Sequence, residues 1–393
     1  MTPAPRMLRA GAVWVTINNW LQASRGRWGH ALLITPDAYM DDGQIREAAA
    51  GRLTTSLASD RWRHVLPASW GTAAKDLRSW LRMSQFDRSV RQTQAAVDPL
   101  FVWQHHDLFQ RAGLTIARRH DRPLVLFVDA PVVWEAETWG VTRPGWGRLI
   151  ERLGESPQFR EADLVACVSD EVARATIARG AHPERVIITP CTADAVRSAK
   201  PSPDARKKYG LEGQIVIGWV GSFRPFHGAE AIVRAAASLQ EAAPVALLMV
   251  GGGTTLESCR LLAADLGLRR AMFPGPVPHE QIPDYLSAMD VTVISNRGEP
   301  GFHYSPLKLK EYLAAGKAVV APAVGEMARL LRSGHDALLY PTGDGAAMVN
   351  AIAHLVGSEA DREAMGVQGR ATYDQLFTMD RQLDMVSESL GLQ

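Results

Sequence analysis

The sequence predicts an α/β fold built from two doubly wound, Rossmann-like domains, on three observations. Strand-length apolar runs alternate with helical patterns in one series up to residue 190 and in a second from residue 214, and such alternation implies parallel sheets flanked by helices. Between the two series lies CTADAVRSAKPSPDARKKYG (191–210), rich in proline, serine and lysine and without apolar periodicity. The 393 residues are also too many for one ordinary core. The expected organisation is a first domain over 1–195, a linker over 196–212, a second domain over 213–370, and a C-terminal helix over 371–393 that can return to the first domain.

The first series opens on Gly11, a helix through Trp20 and Leu21, and a strand, HALLITP (30–36). Only MTPAPRMLRA precedes Gly11, so the usual first strand is either degenerate or truncated. Residues 40–98 are polar and mostly helical in pattern. PLFVWQ (99–104), a helix over 108–120, PLVLFVD (123–129), a helix near 146–160, LVACVS (164–169), a helix over 171–180 and RVIITP (185–190) complete the series. The second series runs QIVIGWVG (214–221), helix 229–241, VALLMVGG (245–252), helix 255–267, MFPG (272–275), helix 280–289, VTVIS (291–295), helix 306–315, AVVAPA (318–323) and ALLYPTGD (337–344).

Composition narrows the function classes. Hydrophobic content of 46% with 22% charged residues is that of a globular chain. Lys+Arg 43 against Asp+Glu 42 argues against bulk electrostatic binding of nucleic acid. Three scattered cysteines, Cys167, Cys191 and Cys259, have no metal-ligand spacing and fit a reducing cytosol. No run approaches the ~20 apolar residues of a membrane span, and the N-terminus lacks a signal-peptide core. Seven of the eleven tryptophans precede residue 104, a distribution that suits core packing or an aromatic surface for a partner. A basic amphipathic pattern over 68–93 (Lys75, Arg78, Arg82, Arg88, Arg91) is either a solvated helix face or one that lies on a bilayer.

The chemistry sits in the second series. RGEPGFHYSPLKLKEYLAAGKAVV (297–320) reads as an irregular loop, a short helix and a buried strand. Ser305 is a natural N-cap, Pro306 suits the first helical position, and Gly316 stops the helix, whose Leu307, Leu309 and Leu313 can pack. Lys308 and Glu311 are three residues apart and share a face. The helix start and the Lys308 charge can hold a phosphate, and Glu311 can accept hydrogen bonds from a diol; together they suggest a nucleotide. An ordinary amphipathic helix between strands is the competing reading. In GSFRPFHG (221–228), Gly221 and Gly228 permit close backbone approach while Arg224 and His227 can donate to phosphate oxygens. With the 305–311 segment this loop forms a two-sided diphosphate clamp. Neither it nor VGGG (250–253) completes a dinucleotide fingerprint, which disfavours an NAD-dependent dehydrogenase.

GSFRPFHG, VGGG, FPGPVPHEQIPDYLSAMDV, SPLKLKEYLAAGKAVVAP and GHDALLYPTGD stand in the order and spacing of retaining glycosyltransferases of family 4, which have the GT-B fold. The resemblance covers residues 99–375 and is strongest over 215–345. It implies two Rossmann-like domains facing across a cleft. It also implies a metal-independent retaining transfer of a sugar from a nucleoside diphosphate donor, uridine by family habit, with no cofactor beyond that co-substrate. The family's E-x7-E motif ends at Glu311, the expected ribose reader, but its first glutamate falls at His303. The family's phosphate-binding Arg and Lys fall at Ser222 and His227, and Arg224 and Lys308 are the candidates to compensate. Gly11 takes the place of a glycine-rich loop, Val277 (between Pro276 and Pro278) that of the base-contacting loop, and Asp129 that of a sugar-contacting histidine, unless Asp129 only starts a turn. Glu135 and Glu137, in the same loop as Asp129, could face the acceptor. His105 and His106 end a strand, and their side chains point to opposite faces, so they are no metal pair.

The resulting expectation has Arg224, Lys308, Asp129 and His303 as catalytic residues. Gly11, Gly221, Ser222, Arg224, His227, Val277, Tyr304, Ser305, Pro306, Leu307, Lys308 and Glu311 bind the donor, and no residue binds a metal. The acceptor is open among small natural products, lipid-linked sugars and polysaccharides. A non-catalytic nucleotide-sugar-binding protein on the same fold is the alternative that Ser222 and His303 leave.

Overall fold

A computed structural model describes residues 12–35, 38–41, 44–47, 68–92, 98–202, 204–297 and 305–392. The chain divides into two compact units, Met1–Pro190 with Gln382–Gln393, and Cys191–Arg381.

In the first unit four strands, β4 (Val102–His105), β5 (Leu124–Val128), β6 (Leu164–Cys167) and β7 (Val186–Ile188), pair in that order, all parallel. Val125, Leu126, Phe127 and Val128 are at most 1% exposed, which explains the unbroken apolar run: helices cover both faces of the sheet. The segment expected as a further parallel strand, HALLITP, does not join it. Its two residues β1 (Leu33–Ile34) pair antiparallel with β2 (Ala38–Asp41), which pairs antiparallel with β3 (Gln44–Glu47). The Glu135 segment is also helix (Val132–Thr138) rather than loop, and the helix expected near 146–160 is two, Gly147–Gly154 and Ser156–Glu161, broken at Glu155. Trp20 is buried against Trp103 and Phe127, the core role expected of the tryptophans, but Trp70 and Trp80 are exposed. Arg27 pairs with Asp384 at 2.5 Å, tying the last helix into this unit.

In the second unit six parallel strands are ordered β10 (Ala271–Gly275), β9 (Val245–Val250), β8 (Ile215–Val220), β11 (Val291–Val293), β12 (Ala318–Pro322), β13 (Leu338–Tyr340). From β8 the chain winds outward through β9 and β10; from β11 it winds the other way. The gap between β8 and β11 is therefore the topological switch point, where open α/β sheets bind ligands at the strands' C-terminal ends. Val216 and Val220 join the core on one face, Ile217 and Trp219 that on the other. The 196–212 stretch, expected as a linker, carries the end of the short helix Asp194–Ser198 and the helix Ala205–Lys208, and Val196, Ala205 and Leu211 are buried in this unit's core. Three well-spaced apolar residues in a polar segment dock it, a density too low to register as periodicity. Among the described residues no helix is long and apolar enough to cross a membrane.

Candidate functional site

The switch point of the second unit gathers most of the residues singled out above. β8 ends at Val220, and Gly221 opens the loop that returns at Gly228, whose φ of +59° suits glycine. Gly251, at the end of β9, sits so close that an added Cβ would run into the Gly221 carbonyl, so the glycine run packs two strand ends together. The helix Leu307–Ala314 is pinned against the end of β8, because the Val220 N–H donates to the Tyr312 hydroxyl at 2.8 Å. All but its first residue are buried.

Two lysines on that helix have opposite circumstances. Lys310 Nζ is fully buried, paired with Glu326, donates to Ser305 Oγ at 2.9 Å and lies 4.9 Å over the Phe377 ring. Lys308 is 8% exposed and has no carboxylate within ion-pair distance among the described residues. It lies 4.6 Å over the Trp219 ring and donates to His227 Nδ1 at 3.4 Å. His227 Nε2 is 3.3 Å from Ser222 Oγ, and the His227 carbonyl accepts from Ser295 Oγ at 2.7 Å. Burial, then Lys308, then Arg224 push the His227 pKa down to about 2, so the imidazole is neutral; facing an ammonium with Nδ1, it carries its proton on Nε2. Burial pulls the Lys308 pKa down to about 7, with Glu311 opposing. A buried ammonium with no carboxylate in ion-pair reach among the described residues, beside the Ser222 hydroxyl and the Arg224 loop, is an arrangement that can accept an anion.

Arg224 is exposed in the same loop, its guanidinium 6.0 Å from the Phe226 ring. Glu311, 5% exposed, accepts from His279 Nε2 at 3.1 Å, and this bond raises the His279 pKa. His279 follows Pro278, so the bond draws the Pro276–Pro278 loop, with half-buried Val277, toward Glu311. Ser305 departs from expectation. The N-cap is Pro306 without a side-chain cap bond, the helix starts at Leu307, and the Ser305 hydroxyl accepts from Lys310 and from the Cys191 N–H at 3.2 Å. A buried ammonium in need of oxygen ligands outcompetes the cap. His303, Tyr304 and Gly11 lie outside the described residues.

Two contributors escaped the sequence reading. His279 had a signal in its place beside the Pro276–Pro278 loop. Asn296, three residues past β11, has both carboxamide atoms buried without a hydrogen-bond partner, which only burial reveals. Asp129 belongs to the first unit, at the end of β5, where His105 Nε2 lies 2.7 Å from its carboxylate. Burial opposes protonation of His105, but Asp129 outweighs it and the pKa lies above the ordinary value. His106, on the other face, bonds Glu155 (3.0 Å) and Gln158 (3.3 Å); Glu155 in turn accepts the Val132 and Val133 N–H groups. That makes His106 structural. No group of three or more metal-ligating side chains with suitable geometry occurs among the described residues.

Two α/β units built on parallel sheets, one with a buried lysine at its switch point, define a class of two-unit, doubly wound proteins. Residues 214–358 match the family described as Glycosyl transferases group 1. A D-inositol 3-phosphate glycosyltransferase of Stackebrandtia nassauensis is 31% identical over 349 residues, 84% of this chain and 76% of the relative. A GDP-mannose-dependent alpha-(1-6)-phosphatidylinositol monomannoside mannosyltransferase of Mycolicibacterium smegmatis is 30% identical over 237 residues, 58% of this chain and 62% of the relative. The crystal structure of Anabaena HepE in complex with UDP and glucose superposes with a TM-score of 0.62 at 20% identity, over 78% of this chain and 81% of that one. The chain belongs to the group 1 glycosyltransferases and has the GT-B fold.

Proposed function

We propose that this glycosyltransferase takes a nucleoside diphosphate sugar, with UDP as the first nucleotide to test, and transfers the sugar with retention and without a metal. The observation that carries the proposal is the buried ammonium of Lys308, beside His227 and Ser222 and with no carboxylate in ion-pair reach among the described residues. Positions 222 and 227 lack the cations expected from the family resemblance, and Lys308 brings one to the same spot from another element. In the proposed complex Lys308, Arg224, Ser222 and the neutral His227 donate to the diphosphate, Glu311 accepts from the ribose diol, and Asn296 meets a sugar hydroxyl. As the bond from the anomeric carbon to the diphosphate breaks, charge builds on the leaving oxygen, where Lys308 is held in advance and Arg224 reaches in from its exposed loop position. The acceptor hydroxyl bonds to the same carbon from the same face and passes its proton to the departing phosphate. The neighbours differ in donor by name, one GDP-mannose-dependent and one solved with UDP, so the base is chosen as a probe. Two relatives named for inositol-containing acceptors make an inositol phosphate or a lipid-linked inositol the acceptors to try first. Asp129, oriented by His105, is the proposed sugar-facing group of the first unit. Glu311→Ala and Arg224→Ala are each expected to cut sugar transfer from the donor at least about tenfold, roughly 1.4 kcal/mol of transition-state binding; wild-type rates in both would reject the assignment.

A further inference from the structure

The helix Ala68–Gln92 exposes two kinds of residue that a solvated helix does not combine. Its buried side is formed by Met83, Phe86 and Val90. On the opposite side Trp70 (65% exposed), Leu77 (56%) and Leu81 (44%) lie within about 40° of one another at 100° per residue, with Trp80 (48%) beside them. The charged residues at exposed positions of this helix are Lys75, Arg78, Arg88 and Arg91, all basic. Asp76 is buried in a bidentate pair with Arg143 (2.9 and 3.0 Å) and accepts from Trp146 Nε1 at 3.2 Å. Asp87 is engaged by Arg91 and Thr115. The acidic groups thus turn inward and the Asp76 clamp fixes which way the apolar stripe faces. The segment that supplies the clamp continues into the helix Gly147–Gly154, where Leu149 (54%) and Leu153 (61%) are exposed one turn apart beside exposed Arg148 and Arg152.

We infer that this face of the first unit docks on an anionic phospholipid bilayer. A helix of 25 residues presents a straight line roughly 37 Å long. Tryptophan and leucine would enter the headgroup boundary while lysine and arginine stay with the phosphates, the division of labour of an interfacial helix. A solvated face would place its apolar residues inward only, and here they stand outward as well. Self-association is disfavoured by charge: a two-fold contact would set basic residues against their own copies with no exposed acid on the helix to offset them.

The test is co-sedimentation of the full chain with vesicles of phosphatidylcholine alone or of phosphatidylcholine with phosphatidylglycerol in equal parts. The inference predicts binding to the mixed vesicles, a bound fraction at least about five times lower on phosphatidylcholine alone, and a similar loss in Leu77→Ser/Leu81→Ser and in Lys75→Glu/Arg78→Glu. These positions are exposed, so the variants should fold as the parent does; matching melting temperatures check this. The inference is overturned by absence of binding to anionic vesicles, by unchanged binding in both variants, or by a dimer in solution that Leu77→Ser/Leu81→Ser dissociates without any vesicle binding. Because it concerns the first unit's surface, its failure leaves the Lys308 site untouched, and failure of that site leaves it untouched.

Discussion

Lys308 and Lys310 sit two positions apart on one helix, and nothing in their spacing distinguishes them. What separates them is that Glu326, fifteen residues beyond the Glu311 that shares their helix, folds back onto Lys310 alone. Sequence could place a lysine and a glutamate near a helix start; it could not say which lysine is left without a carboxylate partner among the described residues. The same holds for His279, whose bond to Glu311 depends on two loops converging. That bond fixes the carboxylate before any ligand arrives. His279→Gln keeps a donor and His279→Ala does not, so affinity for UDP should fall in the order wild type, Gln, Ala. The loss in Ala should be about tenfold, the lower end of the scale of one hydrogen bond to a charged group; titration calorimetry checks it, and equal affinities would mean that Glu311 needs no orienting.

At the scale of elements, Leu307–Ala314 is buried along nearly its whole length, carrying two lysines and a glutamate into the interior. A buried pair such as Lys310–Glu326 contributes little net stability but is expensive to break on one side. Lys310→Met is therefore expected to destabilise the second unit by about 3–5 kcal/mol, whereas Lys310→Met with Glu326→Leu should recover most of that loss. Thermal denaturation of the two variants decides it; if the double variant is no better than the single, the pair is not the source. The loop after β8 and the helix itself were legible because glycine, proline and an apolar helical period are local signals. The Ser305 cap was misread because its competitor, a buried ammonium five residues on, is not.

For the whole molecule, two alternating series separated by a polar stretch were enough to read two parallel sheets. The errors share a cause. HALLITP looks like a core strand by composition, but its partner is its own sequel rather than the sheet. Residues 196–212 look like a linker by polarity, yet a few buried side chains hold them on the second unit. Pairing and docking are decided by what lies opposite, which single-chain periodicity does not encode. The central claim is that one buried ammonium in the second unit exists to meet a diphosphate, and it has a proton signature. The free Lys308 pKa is pulled down to about 7 by burial, and a bound diphosphate should raise it again. Between those two values the complex holds a proton that the free protein lacks, so affinity must fall as pH rises; above about pH 7 the nucleotide's own phosphate, with a pKa near 6, no longer contributes. Titration of the full chain with UDP between about pH 7.5 and 9 should show the dissociation constant climbing toward tenfold per pH unit, and Lys308→Met should bind at least about tenfold more weakly at the lower pH with that slope gone. Parental affinity and an unchanged slope in Lys308→Met would contradict the account.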